Sequence, residues 1–261
     1  MKIKFYKYQG TGNDFVILDN RDGDFKNLTT KQIHKLCDRR FGVGGDGLMM
    51  LNNKAGYDFE MLYYNADGNP GSMCGNGGRC MIRFVSNMGM HKYTYSFLAA
   101  DGEHEAEIDQ HNIIRLRMND VSEIEEHASF ILLNTGSPHF IKFATDVINI
   151  DVVETGREIR YSKKFAENGV NVNFVESTGE DSIFVRTYER GVEDETLSCG
   201  TGVTAAALVS SHNPRGFNRV AVETPGGKLS VEFNKLSDTE FDNIWLCGPA
   251  ELVFAGDIEI N

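Results

Sequence analysis

The pattern Cys-Gly-x-Gly occurs twice, at residues 74–77 and 199–202, and the 125-residue interval is close to half of a 261-residue chain. At the same offset Phe59 meets Phe184, Tyr63 meets Tyr188, Gly75 meets Gly200, Gly77 meets Gly202 and Gly102 meets Gly227. One residue out of step, TGNDFVI (11–17) faces TGSPHFI (135–141). The order of elements repeats as well. An apolar strand (YDFEMLYY, SIFVRTY) leads through a loop to C-G-x-G and a helix, and a hairpin with a tight glycine turn follows. Matching order, spacing and residue type across both halves mark an internal duplication. The chain is therefore expected to form two similar α/β domains, roughly 1–119 and 120–253.

Strand signals dominate, as in HEAEI and KLSVEF with glycine turns between them. After the first C-G-x-G, apolar residues at Cys80, Met81, Phe84, Val85 and Met88 follow helical spacing, which predicts a helix over 76–88. After the second, Val203, Ala205, Ala206, Ala207 and Leu208 predict a small-residue helix over 201–211, suited to close packing inside a curved sheet. A third helix is expected over 30–39, capped by Thr29 or Thr30, with Ile33, Leu36 and Cys37 inward.

Composition narrows the class. The net charge of −12 opposes binding to nucleic acid, whose phosphates it would repel. The start, MKIKFYKYQG, lacks the apolar core of a signal peptide. No apolar run approaches the roughly 18 residues of a membrane span, so a cytoplasmic protein with no membrane partner is expected. Five cysteines, an odd number with no CxxC pair, make a poor disulfide framework and no zinc site. No metal site is expected, and nothing in the sequence signals pyridoxal phosphate or another cofactor. Cys37, Cys80 and Cys247 read as buried structural thiols.

Cys74 and Cys199 differ because each precedes a helix start. There the unpaired backbone N–H groups and about half a positive charge stabilise a thiolate and can hold a carboxylate. Two such turns facing one cleft would set two thiols about a substrate α-carbon. One thiolate would remove the α-proton while the other, as a thiol, returned a proton to the opposite face. The GVGGDG stretch (42–47) matches G-x-G-x-x-G, but the helix expected over 30–39 precedes it and apolar LMML follows, so it reads as a turn and not a dinucleotide site.

The chain resembles the diaminopimelate epimerase family. The resemblance is carried by GTGNDFVILDN (10–20), RRFGVGGDG (39–47), NADG (65–68), MCGNGGRC (73–80), SPH (137–139), GVNVNFV (169–175), YERG (188–191), SCGTG (198–202) and GPAELVFAGDI (248–258). It implies cofactor-independent epimerisation of LL- to meso-diaminopimelate, a small diamino diacid, in lysine and peptidoglycan-precursor biosynthesis. It implies Cys74 and Cys199 as the acid/base pair, with Gly75, Asn76, Gly200 and Thr201 as donors to the reacting carboxylate. Asn13, Asn65, Asn171, Glu189 and Arg190 match substrate-binding positions, and His139 and Glu189 match residues that tune the cysteines. The implied fold is two pseudo-symmetric domains, each a curved mixed or antiparallel sheet around a central helix, with the active site in the cleft between them. The C-terminal strand, about 254–261, would return to the first domain, and a homodimer is implied. Two positions depart from the family pattern: Ser137 stands where Asn is frequent, and Gly47 where some members have Gln.

Other readings of the residues stay open at this stage. NADG can be a plain turn, ERG a solvated loop, Asn13 an Asx turn and His139 a satisfied loop histidine. Asn65 and Arg190 each lie nine residues before their cysteine. A diamino diacid needs partners at its distal end, which Arg190's planar fork and the Asn65 and Asn171 amides suit. The alternatives in function are a proline- or hydroxyproline-type racemase, a thiol redox protein and a plain binding module.

Overall fold

The computed structural model describes residues 1–260. It divides into two compact units, one made of Met1–Leu116 with the segment from Gly248 onward, the other of Arg117–Cys247.

The first unit contains β1 (Lys2–Gly10), β2 (Asn13–Asp19), α1 (Thr30–Cys37), β3 (Gly47–Asn52), β4 (Phe59–Asn65), α2 (Gly75–Asn87), β5 (Thr94–Ala99), β6 (Gly102–Ile108) and β7 (Ile114–Arg117). Pairing runs in that strand order. β1–β2 is antiparallel, β2–β3 parallel, β3–β4 antiparallel, β4–β5 parallel, and β5–β6 and β6–β7 antiparallel.

The second unit contains β8 (Ile124–Glu126), β9 (Ile131–Asn134), β10 (Pro138–Phe143), α3 (Val152–Arg160), β11 (Asn171–Gly179), β12 (Ser182–Glu189), β13 (Asp194–Thr196), α4 (Gly200–Val209), β14 (Gly216–Thr224), β15 (Gly227–Lys235) and β16 (Phe241–Gly248). From β9 onward the same alternation recurs. β9–β10 is antiparallel, β10–β11 parallel, β11–β12 antiparallel, β12–β14 parallel, and β14–β15 and β15–β16 antiparallel. The chain then returns to the first unit as β17 (Glu251–Glu259), antiparallel to β1. The fold is α/β with two pseudo-symmetric halves.

Register refines the duplication. Phe15 lies opposite Gly47 as His139 lies opposite Asn171, and Met49 lies opposite Tyr63 as Asn173 lies opposite Thr187. The strands before each C-G-x-G helix are thus related by 124 residues, not 125. Phe59/Phe184 and Tyr63/Tyr188 are not equivalent positions, and Asn65 corresponds to Glu189 instead of Arg190. The offset becomes 125 at the helices, so one residue is inserted in the loop that leads to Cys199.

In the second unit β11 is buried from Asn171 to Val175 but carries Asn171 and Asn173 among its apolar residues. In the first unit β2 and β3 are buried on both faces, which explains their continuous apolar runs FVIL and LMML. On one face Ile3, Phe5, Val16, Leu18, Leu48 and Met50 pack with Ile33, Leu36 and Cys37 of α1. The alternate residues of β2 and β3 face α2, the central helix, which also touches β1, β6 and β17. Thr29 and Gln32 form the capping box that starts α1. In the second unit Phe140, Val172, Phe174, Tyr188 and Val152 form the core beneath α3, and α4 touches β10, β11, β12, β14 and β15. α4 is built of small apolar residues because it is buried nearly all round.

Sequence spacing anticipates α1, α2 and α4 to within two residues at most boundaries. α3 is not among the expected helices; it buries Val152 and Gly156, with Val153 and Ile159 packed at the edge of the same core. Asp151 caps it by accepting from the Glu154 N–H at 2.9 Å. Gly156 is there for space: a Cβ would lie 2.4 Å from Tyr188 Cβ. Alanine ordinarily gains about 1 kcal/mol over glycine inside a helix. Gly156→Ala is instead expected to lose about 1–3 kcal/mol by overpacking, measured as a lower urea midpoint; a raised midpoint would contradict the contact.

Candidate functional site

Each C-G-x-G places its cysteine at the N-cap of a central helix. Cys74 is extended (φ −114°, ψ 127°) and makes no capping hydrogen bond with its side chain. Its carbonyl accepts the first helical bond, from the Gly78 N–H at 2.7 Å. The amides of Gly75, Asn76 and Gly77 precede that bond, so they project from the positive end of α2. Cys199 stands in the same way at the start of α4 (φ −110°, ψ 111°), its carbonyl taking the Val203 N–H at 2.8 Å.

Around Cys74 the side chains form a directed chain. Arg79, fully buried on α2, donates to Asn76 Oδ1 at 3.0 Å, to Thr11 Oγ1 at 3.2 Å and to the Gly75 carbonyl at 3.4 Å. Asn76 Nδ2 donates to Asn13 Oδ1 at 3.3 Å, and Asn13 Nδ2 donates to Asp46 Oδ2 at 2.6 Å. A guanidinium only donates and a carboxylate only accepts. Both ends of the chain therefore demand the same amide orientations, and Asn13 Oδ1 is left to accept from Cys74 Sγ at 3.6 Å. Behind Asn13, Arg39 bridges Asp14 (2.6 Å) and Asp46 (2.8 Å), and Lys7 reaches Asp14 at 2.6 Å and the Gly44 carbonyl. Burial alone would raise the Asp14 carboxyl, but hydrogen bonds from Arg39 and Lys7 outweigh it and hold it down at about 2.

Two expected positions have a packing explanation. Asn65 is exposed at the end of β4, where its backbone closes the NADG turn with Gly68 and Asn69 (2.9 Å each), and its Oδ1 lies beside Gly71. Gly47 lacks a side chain for steric reasons, since a Cβ would lie 2.5 Å from the Tyr63 ring.

Around Cys199 the groups differ. Cys199 Sγ lies 3.5 Å from Thr201 Oγ1, and the Thr201 carbonyl accepts from Thr135 Oγ1 at 2.9 Å. His139 is fully buried, with Nδ1 3.1 Å from Asn173 Nδ2, while its Nε2 meets no hydrogen-bond partner. Burial, aided by the charge of Arg190, pushes the imidazole down to about 3, so the ring is neutral near pH 7. Glu189 accepts from Thr196 Oγ1 at 2.8 Å. Asn171 is buried and engaged on both sides. Its Nδ2 donates to Ser137 Oγ (2.9 Å) and the Pro138 carbonyl (3.2 Å), and its Oδ1 accepts the Arg190 N–H at 2.9 Å. With both amide hydrogens in use, Asn171 has one Oδ1 lone pair left for a ligand and serves mainly to hold Ser137 and Arg190. Arg190 itself is exposed, donating to the Asn168 carbonyl at 3.0 Å and to Ser137 Oγ at 3.3 Å.

Cys37 and Cys80 are buried, and burial pushes both thiols up, Cys37 to about 12. That leaves them inert near neutral pH. Among the described residues no group of three or more His, Cys, Asp or Glu side chains is positioned to hold a metal ion. Sequence reasoning passed over Arg79, Asp46 and Asn173, although each lies within or beside a quoted motif. Their signal is a polar residue at an otherwise apolar or glycine-rich position.

A sequence profile described as diaminopimelate epimerase matches residues 5–124 and 131–253. A diaminopimelate epimerase of Flavobacterium psychrophilum is 49% identical over 97% of this chain and 98% of its own length. One of Chlorobaculum tepidum is 42% identical over 96% and 99%. Among solved structures, a Bacillus anthracis phenazine biosynthesis protein of the PhzF family superposes with a TM-score of 0.78 at 16% identity, covering 100% of both chains. A hydroxyproline epimerase from Agrobacterium vitis, with bound trans-4-hydroxy-L-proline, gives 0.68 at 13% identity, covering 98% of this chain and 92% of that one. At these identities the two structures are alike in fold.

The depressed His139 makes a stability prediction. An unfolded histidine binds its proton near pH 6.5, whereas the buried ring does so only near pH 3. Between those values the unfolded state holds more protons, so this stabilisation is complete above about pH 6.5 and is lost as pH falls toward 3. Unfolding free energies from urea titrations should drop by on the order of 2 kcal/mol from pH 7 to pH 5 through this group. The drop should shrink in His139→Gln; an equal pH dependence in both proteins would contradict a buried neutral ring.

Proposed function

The chain belongs to the diaminopimelate epimerase family, and we propose that it interconverts LL- and meso-diaminopimelate by two-base catalysis with Cys74 and Cys199. The observation that carries this reading is the equivalent placement of the two cysteines. Each caps the glycine-rich start of the central helix in its own half of a duplicated fold.

The chemistry follows from that placement. One cysteine, as thiolate, takes the α-proton. The C–H electron pair moves into the adjoining carboxylate and gives an enediolate-like species. The other cysteine, as thiol, delivers its proton to the opposite face of the carbon and becomes the thiolate. The atoms balance, the stereocentre inverts, and no external oxidant or reductant takes part. An amino-acid α-C–H is many units less acidic than a thiol, at about 1.4 kcal/mol per unit. Amides of Gly75, Asn76, Gly200 and Thr201, directed at the carboxylate, would each recover roughly 3–4 kcal/mol as charge develops. Asn13 and Asn76 lie beside Cys74, and on this reading His139 and Glu189 would tune Cys199. At the distal end of a diamino diacid, the Arg190 fork suits the carboxylate, with Asn65 and Asn171 as further polar partners. No cofactor is part of this scheme. Lysine and peptidoglycan-precursor biosynthesis is the corresponding setting, in the cytoplasm. No helix among the described residues is long and apolar enough to cross a membrane.

A homodimer is part of the proposal. On β17, Leu252, Val253 and Phe254 are each about half exposed, an apolar strip on a strand paired with β1. Such a strip invites a second copy.

The deciding experiment is α-proton exchange in heavy water. Wild type should incorporate deuterium into LL-diaminopimelate and not into proline. Cys74→Ser and Cys199→Ser should each lose a factor of roughly 10²–10⁴ in turnover. Exchange into proline alone would favour the cyclic-substrate racemases, and ligand binding without exchange would reduce the protein to a binding module. Oxidation should abolish turnover and a thiol reductant restore it; activity indifferent to redox state would contradict the paired thiols. Light scattering should find a dimer, and Val253→Lys should shift it toward monomer; a monomeric wild type would overturn the assembly.

A further inference from the structure

The two units differ at one matched pair of core positions. Register equates Phe15 with His139 and Met49 with Asn173. In both units this pair lies directly beneath the second glycine of C-G-x-G. A Cβ on Gly77 would lie 3.1 Å from Met49 Sδ and 3.5 Å from Phe15 Cζ. A Cβ on Gly202 would lie 2.3 Å from Asn173 Oδ1 and 3.4 Å from His139 Cε1. The architecture is the same, apolar in one half and polar in the other.

Two polar side chains buried under a helix start cost stability unless hydrogen bonds satisfy them. Asn173 is fully satisfied. Its Oδ1 accepts from Thr187 Oγ1 at 2.9 Å. Its Nδ2 lies 3.2 Å from the Phe140 carbonyl, 3.3 Å from the Asn171 carbonyl and 3.1 Å from His139 Nδ1. Two carbonyl oxygens, which only accept, fix which end of the amide faces the imidazole. The two hydrogens of the Asn173 amide are shared among these three acceptors, and an amide nitrogen offers no lone pair, so a proton on His139 Nδ1 would have nothing to donate to and Nδ1 faces the amide as an acceptor. A neutral imidazole has one proton, and here it must sit on Nε2. That Nε2–H is buried and meets no partner. The ring carbon beside it lies beneath the first turn of α4, and Arg190 is the charged group that acts on the ring.

We propose that Asn173 is a positioning residue: it locks His139 as the Nε2–H tautomer, making the imidazole a neutral hydrogen-bond donor to an anion at the start of α4. In this state His139 cannot serve as a base toward a cysteine through Nε2. The anion is the Cys199 thiolate or the reacting carboxylate of the substrate. Naming those two rests on the epimerase reading above; the tautomer does not.

The test is a long-range proton–nitrogen correlation spectrum of full-length protein labelled with ¹⁵N-histidine, with His139 assigned by the signal missing from His139→Gln. Wild type should show the Nε2–H pattern from pH 6 to 9. Asn173→Asp replaces the donor with an acceptor and should switch His139 to Nδ1–H. Its kcat should fall by roughly ten- to a hundredfold with a smaller change in KM, as expected for a mis-set tautomer. A pH-dependent shift of the Nε2–H proton without substrate, absent in Cys199→Ser, identifies the thiolate. A shift only when LL-diaminopimelate is added identifies the carboxylate. No shift in either case overturns the donor role. A wild-type Nδ1–H or imidazolium pattern overturns the proposal whatever the activity. Should Asn173→Asp fail to fold, the wild-type spectrum still decides. A wild type that shows Nε2–H but epimerises nothing would sink the epimerase reading and leave the tautomer lock intact.

Discussion

Everything at the two helix starts depends on how closely the first turn of each central helix lies on the strands behind it. That approach leaves no room for a Cβ at Gly202 and little at Gly77. A side chain at Gly202 would collide with Asn173, and one at Gly77 would press on Met49. Glycine therefore serves as a spacer as much as a flexible joint. Because the helix sits so low, its first amides and the capping cysteine are held by a two-faced sheet core and not by a mobile loop. The glycines that make the stretch look flexible in sequence are what make it rigid in the fold.

Duplication supplies this arrangement twice, and divergence has then changed the polar surroundings of each copy. Cys74 meets a fixed acceptor, Asn13 Oδ1, whose orientation is set from Arg79 at one end and Asp46 at the other. Cys199 meets the Thr201 hydroxyl. The strand position that holds Asn13 in the first half holds Ser137 in the second, and Ser137 is turned toward Asn171 and Arg190. The position of Asn76 is taken by Thr201. So the backbone is symmetric while hydrogen-bond polarity is not.

Much of this was legible in the sequence because periodicity and glycine placement report backbone geometry directly. The paired motifs, their helices and the hairpins after them follow from spacing. The limits are equally physical. A single residue inserted before Cys199 sets the helices 125 residues apart and the strands before them 124 apart, an offset visible in TGNDFVI against TGSPHFI. Asn65 and Arg190 share a distance to their cysteines, but the strands match Asn65 with Glu189. α3 has a short apolar face, Val152 and Val153 with Ile159, but Gly156 stands between them where a further apolar side chain would have continued the stripe. Arg79 and Asn173 were visible as letters within the motifs, but no spacing rule says that a buried arginine orients an asparagine or that an asparagine fixes a histidine proton. Those roles depend on which atoms meet, and only coordinates supply that.

The asymmetry bears on the two-base reading proposed above. On that reading a cysteine that is acid in one direction must be base in the other, so neither its thiol nor its thiolate should be greatly favoured. At Cys74 the helix start presents N–H donors, which suit an anion, while Asn13 Oδ1 is an acceptor that faces an S–H. At Cys199 the helix start and the Thr201 hydroxyl can both act as donors to the anion, and the buried His139 keeps a positive charge out of the core by staying neutral. A protonated imidazole there would trap the thiolate as an ion pair in a low-dielectric site. If the anion at the start of α4 is the thiolate, a neutral donor would stabilise it less and release it more readily. On the proposed two-base reading, the symmetry of the fold sets the geometry of the two cysteines and the differences between the halves set their polar surroundings.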